Sequence, residues 1–238
     1  MGYKIYPLNT GFLLADVETQ SDQRPGPYSS QHVPATAFLV SNGDHHLLFD
    51  TGIPHTAEVL KHRPNSAQPR GFDIVNRLEQ KGLFPQALHA IVLSHLHWDH
   101  CAYLDQFSGV RKLVQKRETD FAADPSPDYR LSYQGADLIL ADPDLEVIQD
   151  NFRYNSEIQL IPTPGHSPGH QSMMVLTHAG PHILAGDAAW CDPKMGWLPP
   201  RKAIDPGDAK KSFQGLLKSQ IPLLASHDPS AATHEVYG

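Results

Sequence analysis

The sequence predicts an α/β fold in which two mixed β-sheets pack together with helices on the outside. Short apolar runs that end in His or Asp, helical patterns between them and an unbroken composition all point that way. At 238 residues and 40 % hydrophobic content the chain can bury one large core. Domains of about 200 to 250 residues commonly fold as one unit. No linker or internal repeat interrupts it, so residues 1–238 are expected to form a single domain.

Taken in order, Ala35 to Val40 and His46 to Phe49 read as a hairpin of strands, and Phe72, Val75, Leu78 and Glu79 mark a helix stopped by Gly82. The run Ala90-Ile91-Val92-Leu93-Ser94 reads as a strand. The pairs Arg111-Lys112 and Lys116-Arg117, followed by Glu118 and Asp120, suggest a solvated helix start. Phe121 to Asp137, rich in Pro and Asp, has the composition of a long surface loop, and such loops often act as lids. Ile158 to Ile161, His182 to Ala185 and Leu223 to Ala225 read as short buried strands. Asp208 is expected to cap a late helix with Phe213, Leu216 and Leu217 on one face before Pro222.

Charge and composition narrow the function classes. A formal net charge of −7 argues against nucleic acid as a partner, because phosphate contacts need concentrated Lys and Arg. The opening Met1-Gly2-Tyr3-Lys4-Ile5-Tyr6-Pro7 lacks the basic start and apolar stretch of a secretory signal, and no apolar run approaches a membrane span. A cytoplasmic, soluble protein with no membrane partner is expected. Cys101 and Cys191 make no disulfide framework and are expected to be free thiols, with Cys101 packing as a small hydrophobe.

The chain has 15 His, and most, such as His45 or His62, are expected to be solvated or satisfied within the core. His95-x-His97-x-Asp99-His100 is different, because it packs four ligand-type side chains into one short stretch at a strand end. Side chains two apart point the same way there, so His95 and His97 can bind one ion together while Asp99 and His100 face a second. Imidazole and carboxylate suit zinc, manganese, cobalt or iron, and a pair of such ions makes hydroxide available near neutral pH. His166, Asp187 and His227 follow apolar segments in the same manner, at positions where loops carry chemistry on a rigid scaffold.

With the Phe49-Asp50-Thr51-Gly52 turn, these separated motifs resemble, in order, those of the metallo-β-lactamase superfamily across the whole chain. The resemblance implies an αββα sandwich holding two divalent metal ions, zinc first, with manganese, cobalt or iron as alternatives. It implies that His95, His97 and His166 bind one ion, that Asp99, His100 and His227 bind the other, and that Asp187 bridges them. Asp50 would orient a ligand or its loop, the alternative being a simple cap of the Thr51-Gly52 turn. His170 is expected to support the site rather than bind metal.

Fold alone does not choose a substrate within this superfamily. Asp187 at the bridging position disfavours a β-lactamase. The stretch Asp228 to Gly238 is too short for the C-terminal helices of a glyoxalase II, and the charge supplies no basic arm for a tRNA-processing nuclease. The blocks Ser94 to His100 and Thr163 to Ser172 resemble the N-acyl homoserine lactone lactonase group. That resemblance implies a small-molecule lactone opened by a hydroxide shared between two metals, with Asp99 passing its proton to the leaving alkoxide. Thioester or phosphodiester hydrolysis, a mono-iron persulfide dioxygenase and a catalytically silent sensor remain alternatives, and a homodimer stays open.

One position departs from the lactonase pattern: that group usually has a Tyr three residues after the bridging Asp, and this chain has Trp190. An indole N–H can donate a hydrogen bond but has no titratable hydroxyl. Tyr103, Tyr129 and Tyr133 are candidates to replace it. Trp190, Met195, Trp197 and Leu198 are candidates to wall an apolar substrate pocket, together with Tyr129 and Tyr133 from the expected lid.

Overall fold

The computed structural model of the protein describes residues 2–17, 29–55, 66–192, 196–200 and 202–238, so His62 and Met195 lie outside the described residues. One sheet has six strands side by side in chain order: β1 (Lys4–Val17), β2 (Ser29–Ser41), β3 (His46–Phe49), β4 (Ala90–Val92), β5 (Arg111–Gln115) and β6 (Leu145–Ile148). The first three pair antiparallel, and β3 to β6 run parallel. In the second sheet β7 (Phe152–Arg153), β8 (Ile158–Pro162), β9 (Gln171–Thr177) and β10 (Gly180–Gly186) are neighbours in that order. After a ribbon of β11 (Trp190–Asp192) and β12 (Gly196–Leu198), β13 (Leu223–Ala225) joins this sheet parallel to β10.

Among the described residues five α-helices accompany the sheets: α1 (Ile74–Glu79), α2 (Lys116–Ala123), α3 (Ala136–Leu140), α4 (Pro206–Lys218) and α5 (Pro229–Thr233). Side chains alternate across a strand, so each central strand serves two cores. Phe38, Leu47, Phe49, Val92 and Leu113 of the first sheet meet Ile158, Leu160, Met173, Val175 and Leu184 of the second. On the other face of the first sheet, Leu39, Leu48, Ile91 and Val114 pack under Ile74 and Leu78 of α1, Ala122 of α2 and Ile139 of α3. Ile183 and Ala185 of β10 pack against Phe213 and Leu216 of α4. The layers therefore run helix, sheet, sheet, helix. Burial on both faces explains why β3 and β4 read as continuous apolar runs rather than alternating ones.

Three local expectations are corrected. The basic run from Arg111 is strand β5 rather than a solvated helix, and Lys112 is fully buried: its Nζ donates to the Phe107 carbonyl at 2.9 Å and pairs with Asp142 at 3.0 Å. A buried ammonium is tolerable only when its donors are used in this way, and distant partners are invisible in the local pattern. Lys116 does open α2 and pairs with Asp120, but Glu118 on the same helix turns inward and is buried. Residues 121–137 form no single loop: α2 continues to Ala123, a short helical turn spans Pro127–Tyr129, and α3 begins at Ala136. Finally, Asp205 rather than Asp208 caps α4, accepting the Asp208 N–H at 2.9 Å, and Leu217 is exposed while Ala209, Phe213 and Leu216 face inward.

The ends of β3 distribute different tasks. At its start, His45 lies between the Tyr3 and Tyr154 hydroxyls, at 3.2 and 3.3 Å, and stacks on His89 with ring centroids 4.0 Å apart. Burial, and then the neighbouring His89 and His46, lower the His45 pKa. The unfolded chain therefore takes up this proton more readily than the folded one, and stability is lost as pH falls through the ordinary histidine value of about 6.5. The wild-type Tm is expected to drop through that window and His45→Asn to flatten the slope; equal slopes in a thermal melt series would contradict the assignment.

Candidate metal centre

The other end of β3, and the ends of β4, β8, β10 and β13, converge on one spot. After β4, Leu93 completes the buried run and Ser94 turns the chain. Asp50, in the left-handed region at φ 63°, accepts from Ser94 N–H at 2.7 Å, from Ser94 Oγ at 2.8 Å and from His100 Nδ1 at 2.8 Å. A non-glycine residue is held in that conformation only when its surroundings compensate, and here three hydrogen bonds do so. The Asp50 carboxylate is thus turned to the Ser94–His100 loop.

Four of the five imidazoles, those of His95, His100, His166 and His227, are fixed from outside by one nitrogen, which leaves the other facing inward. His95 Nδ1 lies 2.9 Å from Ser94 Oγ, and since that hydroxyl already donates to Asp50, His95 is the donor. His100 donates to Asp50, His166 Nδ1 to the Lys202 carbonyl at 2.7 Å, and His227 Nδ1 to the Pro34 carbonyl at 2.7 Å. Such outward bonds select the tautomer whose inner nitrogen carries a lone pair. His97 Nδ1 faces His166 Nε2 at 3.0 Å.

The expected residues come together. His95, His97 and His166 form one group, His95, His100 and Asp187 a second, and Asp99, His100 and His227 a third, with ligand atoms in each within 4.8 Å of one another. Asp187 sits between: its Oδ2 is 3.3 Å from His166 Nε2, and its Oδ1 is 3.3 Å from His227 Nε2 and 3.4 Å from His100 Nε2. Asp99 Oδ2 lies 3.6 Å from His227 Nε2. His95 Nε2, His97 Nε2, His100 Nε2 and Asp187 Oδ1 are buried with no hydrogen-bond partner. Buried polar atoms in native proteins are otherwise almost always satisfied, so such a convergence fits a cation.

The electrostatics of the imidazoles and carboxylates by themselves divide the centre. Burial holds His95 and His97 well below their ordinary pKa, and neighbouring imidazoles add to it. Burial also opposes charge on His100, but Asp187, Asp50 and Asp99 outweigh it and raise that group well above its ordinary value. On Asp187 burial opposes ionisation, yet His227, His100 and His166 overcome it and hold the carboxyl well below its usual range. His170 is pushed down to about 3 by burial and then by His166. As a neutral ring it accepts the Asp187 N–H at Nε2, 3.0 Å away, so its Nδ1 donates to Thr163 Oγ1 at 2.8 Å.

The residues expected around a substrate pocket fall differently. The Trp190 ring is 5.9 Å from that of His227. Trp197 packs beside the cluster of Ala188, Ala189 and Phe213. Tyr129 packs edge-on against Phe121. Tyr133 is buried, with its ring 4.9 Å from His97 and its hydroxyl donating to Glu118 at 2.9 Å, so it is no free lid residue and no spare acid. Burial and Glu118 raise its pKa further. The Tyr103 hydroxyl donates to Gln68. A cavity of about 840 Å³ lies behind the metal-facing loop, bordered by Trp98, Cys101, Leu104, Leu131, Leu138 and Ile139, and none of Trp190, Trp197, Tyr129 or Tyr133 lines it.

Sequence reasoning missed the residues that hold the loops. Gln171 Nε2 donates to the Leu93 and Leu113 carbonyls, joining β9 to the ends of β4 and β5. Glu118 accepts from both loops that carry the histidines. No local signal marks either; the hydroxyl-rich segment from Thr163 to Ser172 was the nearest hint. Gly165, at φ 131°, approaches so closely that an added Cβ would lie 2.0 Å from the Ala209 nitrogen.

Comparison with known proteins supplies a context for this geometry. The sequence pattern of the metallo-beta-lactamase superfamily matches residues 31–226. An N-acyl homoserine lactonase from a Bacillus species is 31 % identical over 198 residues, covering 79 % of this chain and 76 % of that protein. A second, from Bacillus thuringiensis, is 27 % identical over 234 residues, covering 93 % and 91 %. A solved N-acyl homoserine lactone hydrolase, with the product N-hexanoyl-L-homoserine at its catalytic metal centre, superposes with a TM-score of 0.79 at 25 % identity, covering 97 % of this chain and 95 % of that one. The chain belongs to the metallo-beta-lactamase superfamily, as one of its metal-dependent hydrolases.

Proposed function

We propose that the chain opens lactone rings by hydrolysis, with N-acyl homoserine lactones as its substrate class. Two divalent metal ions would be held by His95, His97 and His166 on one side and Asp99, His100 and His227 on the other, with Asp187 between. The observation that carries this reading is the grouping of His95, His97 and His166, of His95, His100 and Asp187, and of Asp99, His100 and His227, with ligand atoms in each within 4.8 Å of one another, while His95 Nε2, His100 Nε2 and Asp187 Oδ1 are buried with no hydrogen-bond partner. A nitrogen and oxygen donor set suits zinc, and also manganese, cobalt or iron. When bound, such ions lower the pKa of water towards neutrality and polarise a carbonyl oxygen. The likeness to two lactonases across most of the chain supports the lactone over other esters.

The protein's own part is positioning and proton handling. Asp50 and Ser94 orient His95 and His100, the Pro34 and Lys202 carbonyls orient His227 and His166, and neutral His170 fixes the Asp187 backbone. Asp99 remains slightly exposed beside His227 and would hold the proton released by water and return it to the leaving alkoxide. Trp190, next to His227, would present its indole face to the substrate without exchanging a proton. An apolar tail would run along that face.

The metal-reconstituted protein is expected to turn over acyl homoserine lactones in preference to thioesters and phosphodiesters, and Asp187→Asn is expected to abolish that turnover. Turnover confined to thioesters or phosphodiesters would discard the substrate class and keep the centre. In Asp99→Asn protein loaded with excess metal so that both ions are in place, kcat is expected to fall by about a hundredfold or more, the usual scale of general acid–base catalysis. Full activity with both ions in place would remove the proton-transfer role.

A further inference from the structure

Glu118 is a fully buried carboxylate that the proposed chemistry does not use, and every donor around it belongs to the neighbourhood of the histidines. Its Oε1 accepts the Leu96 N–H at 3.0 Å and the Tyr133 hydroxyl at 2.9 Å. Its Oε2 accepts the Ser167 hydroxyl at 2.7 Å and the Gly169 N–H at 2.9 Å. Leu96 lies between His95 and His97 in the chain, and Ser167 directly follows His166. One side chain of α2 thus grips both loops that present the three histidines of a single group, while the Tyr133 ring closes on His97. The approach is close: a Cβ on Gly169 would lie 2.1 Å from the Glu118 nitrogen, so only glycine lets the second loop reach the helix. His100 and His227 of the other group make their outward bonds elsewhere, to Asp50 and to the Pro34 carbonyl.

We infer that Glu118 is a positioning residue that sets the geometry of the His95, His97 and His166 group alone, and so the affinity and coordination of one of the two metal ions. This inference rests on the two-metal reading of the centre. A carboxylate with four donors has no isosteric substitute: in Glu118→Gln the amide NH₂ faces two donors and repels them instead of accepting. Residues that orient ligands in this way typically change metal affinity by about 10- to 100-fold.

The test is cobalt(II) titration of the full chain, followed through the visible bands of the bound ion and by competition with a chelator. Wild type is expected to take up two ions. Folded Glu118→Gln is expected to bind one of them at least about tenfold more weakly, with altered visible bands, and to leave the other unchanged. Unchanged affinities and bands would overturn the inference, as would equal weakening of both sites, which is what general loosening of the fold produces. Lys112→Met, which removes the buried ion pair of β5, supplies that comparison: it is expected to lower Tm and leave both affinities alone. Where Glu118→Gln does not fold, Ser167→Ala removes one donor from the His166 side and is expected to show the same one-sided loss. Failure of wild type itself to bind cobalt would instead remove the two-metal reading on which the inference stands.

Discussion

Burying several imidazoles around a carboxylate is unfavourable unless something compensates it, and much of the structure is organised by that constraint. Asp187 is surrounded by His100, His166 and His227, which hold it ionised against the cost of burial. Around them, the outward nitrogens of His95, His100, His166 and His227 are each satisfied, and the inward His95 Nε2, His100 Nε2 and Asp187 Oδ1 are left without hydrogen-bond partners. A cation at the centre would satisfy both conditions together. Outer hydrogen bonds therefore matter as much as the ligands, because they choose which nitrogen is bare and where it points.

The sandwich makes this affordable in backbone terms. Strands β3, β4, β8, β10 and β13 are buried elements whose ends lie close together, so short loops deliver residues far apart in sequence to one point. The loops are braced in turn by side chains from neighbouring elements: Asp50 after β3, Glu118 of α2 and Gln171 of β9. Rigid strands and cross-loop hydrogen bonds fix a constellation more closely than loop backbone alone would.

What was legible in the sequence follows from how local each cause is. The strands before His95 and His227 were readable because burial on both faces leaves an uninterrupted apolar run, and those before His166 and Asp187 because their apolar residues cluster towards the site. The candidate ligands were readable because ligand-type residues cluster at those ends, where the fold brings their ligand atoms within 4.8 Å of one another in three groups. Lys112 and Glu118 were misread as parts of a solvated helix start because side-chain partners far along the chain hold each inside: Asp142 for one, with the nearby Phe107 carbonyl, and Leu96, Ser167 and Gly169 for the other. Tyr133, a pocket candidate by sequence with a core role as its other reading, has its hydroxyl committed to Glu118. The cap of α4 shifted from Asp208 to Asp205 because both stand beside Pro206 and Gly207 in a segment where either can stop the chain.

The central claim is that the inward atoms of this centre hold two ions with Asp187 between them. Anomalous diffraction from crystals of the zinc-loaded protein, collected on both sides of the zinc absorption edge, tests it most directly. Two peaks about 3.5 to 4 Å apart, the usual spacing of a two-metal site, are expected, one beside His95, His97 and His166 and the other beside Asp99, His100 and His227. A single peak, or none within reach of Asp187, would contradict it.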